Sequence, residues 1–246
     1  MQLIYGIHSV LELVKSDPQK VERLWIVNGT DNSRLKELIA HARKRGMAIH
    51  FEPKAALTRR AGSDHHQGVV AAVAQISLLN EDEILERCGK AALLLILDGI
   101  EDPQNLGAIL RSAEAAGVRG IFLPQRRAAP VSAAVVRASA GAAHHLSMGS
   151  IGNVSYFIEK LKQLNFRVLG LDAGAETDWC DADLTGGLAL VLGSEGEGLR
   201  PLVKKNCDQL IRLPMLGRIE SLNVSAAAAA VLFEAVRQRR VSKLAG

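Results

Sequence analysis

Two neighbouring stretches decide how this chain folds: Leu188–Leu199, LALVLGSEGEGL, and Ile211–Phe233, IRLPMLGRIESLNVSAAAAAVLF. The apolar run Leu188–Leu192, held between Gly187 and Gly193, reads as a buried strand ending in a glycine-rich turn. A second strand is expected over Gln209–Leu213, stopped by Pro214. After a loop containing Gly217, the residues Ser221, Leu222 and Asn223 lead into an alanine-rich helix that runs through Phe233 toward Arg240. Asn223 is a good N-cap, which sets it and Ser221 beside the free N–H groups of a helix start, where a polar or anionic ligand can be held. The alanines have two readings, simple helix propensity or close approach to another backbone.

Working outward, strands and helices alternate from residue 92 onward. Strands are expected at Leu93–Leu97, Gly120–Leu123, His145–Met148 and Arg167–Leu171, with helices at Leu106–Ala116, Val131–Ala138 and Val154–Leu164. With the two strands above, this alternation implies an α/β domain built on a parallel, doubly wound sheet, whose ligands bind at the carboxyl ends of the strands. That rule gathers Asn105, Arg111, the glycines of 193–198 and the 213–223 loop at one edge. Arg111 stands in an otherwise small and apolar helix, so it needs an anionic partner, or else it snorkels toward Glu114.

The N-terminal part reads as a smaller α/β unit, residues 1–75. It has a helix on the spacing Ile7, Val10, Leu11, Val14, a strand at Val21–Val27 and a helix at Arg34–Arg45. A strand at Ala48–Phe51, a short helix at Lys54–Leu57 and a strand at Val69–Ala74 complete it. Lys36, Arg43, Lys44, Arg45, Lys54, Arg59 and Arg60 crowd this part; they are either a phosphate-tracking surface or ordinary solvated cations. His65 and His66 read as turn residues rather than ligands, because no third ligand lies near. Residues 76–91 form an acidic linker with one helix, Glu81–Arg87, and residues 92–246 the second domain.

Composition sets limits. The chain is 48% hydrophobic and 23% charged, a globular balance, and its net charge of +4 permits a nucleic-acid partner without demanding one. Cys88, Cys180 and Cys207 are odd in number and widely spaced, so they read as reduced thiols of a soluble cytoplasmic protein. No apolar run approaches the roughly 18 residues of a membrane span. The glycines at 193, 196 and 198 are spaced G-x-x-G-x-G and come late, unlike a dinucleotide fingerprint. A P-loop, a G-x-S-x-G elbow and a metal-ligand cluster are also missing, so hydride transfer, NTP hydrolysis, acyl transfer and zinc chemistry lose support. Group transfer from an already activated donor stays open.

Three segments carry a resemblance: DGIEDPQNLGAILRSAEAAG over 98–117, LVLGSEGEGL over 190–199 and IRLPMLGRIESLNVSAAAAAVLFEA over 211–235. In that order they resemble the three motifs of the TrmH-type RNA 2′-O-ribose methyltransferases of the SPOUT superfamily. YGIHSVLE over 5–12 and HQGVVA over 66–71 are similar to the substrate-binding domain, ribosomal-protein-L30e-like, of the branch that methylates a guanosine in the peptidyl-transferase region of bacterial 23S rRNA. The resemblance implies a deep C-terminal trefoil knot, a homodimer, S-adenosylmethionine as methyl donor, no metal, and RNA rather than DNA as substrate. It implies donor contacts at Gly193, Leu213 and Leu222, with Met215 and Ser221 nearby. Catalytic or substrate roles fall on Asn105, Arg111, Glu195, Ser221 and Asn223. Where many relatives carry Gly-Ala-x-Glu this chain has Gly141, Ala142, Ala143 and His144. A tRNA ribose methyltransferase is the alternative within the class; the extra N-terminal domain favours rRNA. A non-catalytic RNA-binding protein of ribosome assembly is the alternative from another class, and a nucleotide-dependent oxidoreductase stands furthest off.

Overall fold

The computed structural model describes residues 2–73, 76–219 and 221–244. In chain order the elements are β1 (Gln2–Tyr5), α1 (Ile7–Ser16), β2 (Val21–Val27), α2 (Ser33–Lys44), β3 (Ile49–Glu52), α3 (Lys54–Ala61), β4 (Val69–Val73), α4 (Glu81–Cys88), β5 (Leu93–Asp98), α5 (Pro103–Ala115), β6 (Gly120–Pro124), α6 (Ala133–Ala138), β7 (Met148–Ile151), α7 (Val154–Gln163), β8 (Arg167–Leu171), β9 (Thr177–Asp178), β10 (Leu188–Gly193), α8 (Pro201–Asn206), β11 (Gln209–Arg212) and α9 (Val224–Leu244). They fall into two compact units, Met1–Ser77 with Pro130–His145, and Leu78–Ala129 with Leu146–Gly246.

The first unit is a four-stranded sheet in the order β1-β4-β2-β3. β4, VVAAV, is buried at every position and runs antiparallel to both β1 and β2, whereas β3 lies parallel to β2 at the edge. Trp25, Leu57, Val70 and Ala72 form the core beneath α3. The helix α1 buries Ile7, Val10, Leu13 and Val14; Leu13 takes the core place that the spacing gave to Leu11. Ala74 lies outside the described residues. His66 is buried and locks the turn into β4, its Nδ1 accepting from the Gly68 N–H at 3.0 Å and its Nε2 within 3.2 Å of the Thr58 hydroxyl.

α6 belongs to this first unit, where the Arg137 guanidinium lies 4.2 Å from the centre of the Tyr5 ring. His144 follows in a single 3-10 turn, Ala142–His144. It is 7% exposed, and neither ring nitrogen has a partner among the described residues. Burial, with the Lys20 ammonium as a second cause, pushes its imidazolium down to about 4.

The second unit is a seven-stranded sheet, β7-β6-β5-β10-β8-β11-β9, in which every pairing is parallel. β5 and β10, LLLILD and LALVLG, are wholly buried and pair in register from Leu93 with Leu188 to Asp98 with Gly193. Continuous apolar runs of this kind are what a parallel sheet covered on both faces requires. One face is closed by Ile84 of α4, Phe157, Ile158 and Leu161 of α7 and Val203 of α8, which share a core with Ile96, Phe122 and Val191. Ile84 therefore makes the segment read as a linker part of this core. α5 and α9 cover the other face with Leu106, Ile109 and Leu110, and with Ala228, Val231 and Leu232.

Candidate active site

The carboxyl ends of β5, β8, β10 and β11 open onto two adjoining clefts. β5 ends at Asp98, 3% exposed, whose carboxylate accepts two hydrogen bonds from Arg200, from Nε at 3.0 Å and Nη2 at 2.6 Å. That fork ties the turn after β10 to the end of β5. The turn itself is narrow. Ser194 and Gly198 exchange both backbone hydrogen bonds, at 3.1 and 3.0 Å, with Gly196 and Gly198 at φ of +94° and +68°. Gly193 has no room for a side chain at all, because a Cβ there would fall well inside 3.0 Å of the Gly198 carbonyl group and the Leu199 nitrogen.

Asp102 caps α5, accepting from the N–H groups of Gln104 and Asn105, and Pro103 occupies the first turn. Asn105 thus lies inside the helix, three residues after the cap, with its side chain aimed at the β10 turn. Its Nδ2 donates to Glu195 Oε2 at 2.8 Å, and its Oδ1 accepts from Asn223 Nδ2 at 2.9 Å. Asn223 Nδ2 also donates to Glu195 Oε1 at 3.2 Å. Asn223 does cap α9: its Oδ1 accepts from the Ser225 N–H at 2.9 Å and the Ser225 hydroxyl at 2.6 Å. Residues from three separate segments so form one closed network in which each carboxylate oxygen of Glu195 accepts from an amide.

The turn of 194–198 is the wall between the clefts. On one side a cavity of about 480 Å³ is lined by Leu171, Asp172, Gly193, Leu213, Met215, Ser221, Leu222, Asn223 and Ala227, among others. Its rim carries the Lys204–Asp172 ion pair at 2.5 Å. On the other side a cavity of about 420 Å³ takes its walls from Asp98–Asp102, Asn105, Arg127, Arg200 and the same turn. Every sequence-derived donor position, Gly193, Leu213, Met215, Ser221 and Leu222, lines the first cleft with Glu195 and Asn223, and Asn105 meets these two from the second cleft. Arg111 does not. It is exposed, lines neither cleft and makes no ion pair among the described residues, so the pairing with Glu114 is not formed. Asp98, Arg200, Asp172 and Lys204 were missed, because their pairings are long-range and nothing local marks them; Arg127, which lines the second cleft, was missed as well.

The first cleft suits a nucleoside-bearing donor. Its floor is a glycine turn with no Cβ to obstruct it, and Leu213, Met215, Leu222 and Ala227 offer an apolar wall for a base. No group of acidic, cysteine or histidine side chains able to hold a metal ion occurs among the described residues.

Comparison with known proteins gives the following. Residues 92–233 match the SpoU rRNA Methylase family, and residues 3–79 match the family described as RNA 2'-O ribose methyltransferase substrate binding. The 23S rRNA (guanosine-2'-O-)-methyltransferase RlmB of Shewanella oneidensis is 40% identical over 240 residues, 97% of this chain and 98% of that protein. Among solved structures, the SpoU methyltransferase AviRb from Streptomyces viridochromogenes, in complex with the cofactor AdoMet, superposes with a TM-score of 0.80 at 27% identity, covering 98% of this chain and 90% of that one. An RNA 2'-O ribose methyltransferase gives 0.81 at 29% identity, covering 97% and 88%.

Proposed function

This chain belongs to the SpoU rRNA methylase family, and from that premise we infer that it is a 23S rRNA (guanosine-2'-O-)-methyltransferase using S-adenosylmethionine. The observation that carries the reading is the Asn105–Glu195–Asn223 network, which joins the three motif segments at the wall between two clefts. Gly193, Leu213, Met215, Ser221 and Leu222 would hold the donor, which supplies a methyl group already activated on a sulfonium. The target ribose would enter from the second cleft.

A ribose 2′-hydroxyl is a weak nucleophile, so the protein must fix it in line and see its proton removed. Asn105 and Asn223 hold the Glu195 carboxylate still, and with it the wall that separates donor from acceptor. Arg111, unpaired and in solvent, is free to meet the RNA. We assign it to the phosphate beside the target ribose and to the developing alkoxide, with the proton leaving through that phosphate or water, because a guanidinium is too basic to accept it.

The finer parts of the reading are proposals of the same kind. Residues 1–75 act as an L30e-like RNA-binding domain and residues 92–246, less the Pro130–His145 segment that belongs to the first unit, as the catalytic domain, whose core also takes in Ile84 of the 76–91 segment. The catalytic domain is knotted; the order of its strands, with β10 between β5 and β8, and the return of α9 onto α5 support this. Two copies associate, which the apolar side chains left in solvent on the 213–223 loop and α9 support, Leu216 at 97%, Ile219 at 63% and Phe233 at 49% exposure. The place of action is the cytoplasm, and no helix among the described residues is long and apolar enough to cross a membrane.

The test is transfer of labelled methyl from S-adenosylmethionine to 23S rRNA from cells lacking the modification, with tRNA in parallel and the labelled nucleotide mapped. Label at one ribose guanosine of 23S rRNA is expected. Label in tRNA alone would select the tRNA alternative, and donor binding without transfer to either RNA would point to a missing protein partner, an assembly-stage substrate or a retired enzyme.

A further inference from the structure

The first unit carries a groove that the methyl-transfer site does not use. It lies between α2 and the edge strand β3 and is lined by Val27, Gly29, Thr30, Ile39, Ala40 and Phe51, with Lys36 and Arg43 at its rim. Lys36, Ile39, Ala40 and Arg43 follow one another at helical spacing on a single face of α2. Edge strands are normally blunted by charge, yet β3 leaves the phenyl ring of Phe51 45% exposed. Arg43 makes no ion pair among the described residues, and Lys36 has only the exposed Asp31, 3.2 Å away, as counter-charge. An aromatic face and two apolar side chains set between two cations complement one kind of occupant, a base on a phosphodiester chain.

We propose that this groove binds one unpaired nucleotide of the RNA substrate, its base stacked on Phe51 and its flanking phosphates held by Lys36 and Arg43. The two cations stand two helical turns apart, about 10 Å along the axis, so they straddle the stacked base rather than share one phosphate. Stacking is indifferent to which base is presented, so the groove anchors the RNA away from the reacting ribose and leaves the choice of guanosine to the catalytic unit. The proposal rests on the rRNA reading above.

The experiment is steady-state methylation of 23S rRNA by the full chain and by the variants Phe51→Leu, Phe51→Trp, Lys36→Gln and Arg43→Gln. Phe51→Leu should raise KM about tenfold with kcat within twofold, since stacking on an aromatic side chain is worth roughly 5- to 150-fold in affinity. Phe51→Trp should restore the wild-type KM. Each charge removal should raise KM and lower the slope of log KM against log salt by about one. If Phe51→Leu keeps the wild-type KM while unfolding at the same temperature, the stacking is refuted. If Phe51→Leu weakens action only on a ribosomal particle and not on protein-free RNA, the groove docks protein and the proposal fails. Wild-type activity on 23S rRNA in the same assay separates these failures from failure of the rRNA reading itself.

Discussion

Gly193→Ala is the sharpest test of the site geometry, because the added methyl has nowhere to go. It would stand inside 3.0 Å of the Gly198 carbonyl and the Leu199 nitrogen, all backbone, so no side chain can rotate away. β10 cannot retreat either, being paired on both sides, to β5 and β8. Relief requires lifting the turn and giving up the two Ser194–Gly198 backbone hydrogen bonds. At about 1 kcal/mol for each bond and about 1–3 kcal/mol for residual overpacking, the loss comes to about 3–5 kcal/mol. For a chain of this size that is about 10 °C in unfolding temperature. The displaced turn is also the floor of the donor cleft, so S-adenosylmethionine affinity should fall at least about tenfold, equivalent to about 1.4 kcal/mol. Gly196→Ala is the control. It has no atom within 4 Å of a Cβ, only a φ of +94°, and should cost about 1–2 kcal/mol with little change in donor affinity. Thermal unfolding and titration calorimetry read both quantities. A Gly193→Ala protein that melts and binds like the wild type would refute the steric argument, and equal damage from Gly196→Ala would assign it to backbone strain instead.

Three further outcomes follow from named groups. His144 is buried neutral with its imidazolium at about 4 against an ordinary 6.5, so its share of stability is full above pH 6.5 and is lost as pH falls toward 4; urea unfolding should show about 1.3 kcal/mol of extra loss between pH 7.5 and 5.5 that His144→Leu abolishes, and an unchanged pH dependence in that variant would be against it. Arg200→Ala strands the buried Asp98 carboxylate and should cost about 2 kcal/mol, a figure below that for a fully buried pair because Arg200 is half in water; the same denaturant series with Asp98→Asn added to it should recover part of the loss. Arg111→Lys keeps the charge and loses the fork, so kcat should drop about tenfold or more while donor affinity holds; near-full turnover would reduce Arg111 to a point charge.

The sequence was most informative where one face of physics dominated. β5 and β10 are continuous apolar runs bounded by turn residues, and β8 and β2 stand at the ends that the pattern assigns. The expected strand at His145–Met148 forms at Met148–Ile151 instead. MGSI has little apolar signal of its own, and its place is set by register against β6 and by the 3-10 turn that takes His144. β1, α8 and β9 were not foreseen, being four, six and two residues long, too short for periodicity to show. α6 has an unremarkable helical sequence, and only tertiary contact assigns it to the first unit. Asn105, Glu195 and Asn223 were legible as strand-end and cap residues, but their mutual hydrogen bonds were not. Arg200 with Asp98, 102 positions apart, left no local trace.

The alanine run admits both of its readings once the structure is in view, and together they explain why the site forms. Ala227, Ala228 and Ala235 are buried on α9, which packs against α5, and α5 has its own Gly107 and Ala113 as buried small residues. Helices that meet through small side chains approach closely, and here the approach brings their N-terminal ends together. The consequence is seen at Asn223 and Asn105, one the cap of α9 and the other in the first turn of α5, whose side chains meet at 2.9 Å. Glu195 then closes the network from the β10 turn, which Gly193 allows to fold flat against its own strand. The low bulk of the last helix and the missing Cβ at Gly193 are therefore two parts of one requirement: three segments distant in sequence must converge within hydrogen-bond reach at the wall between donor and acceptor.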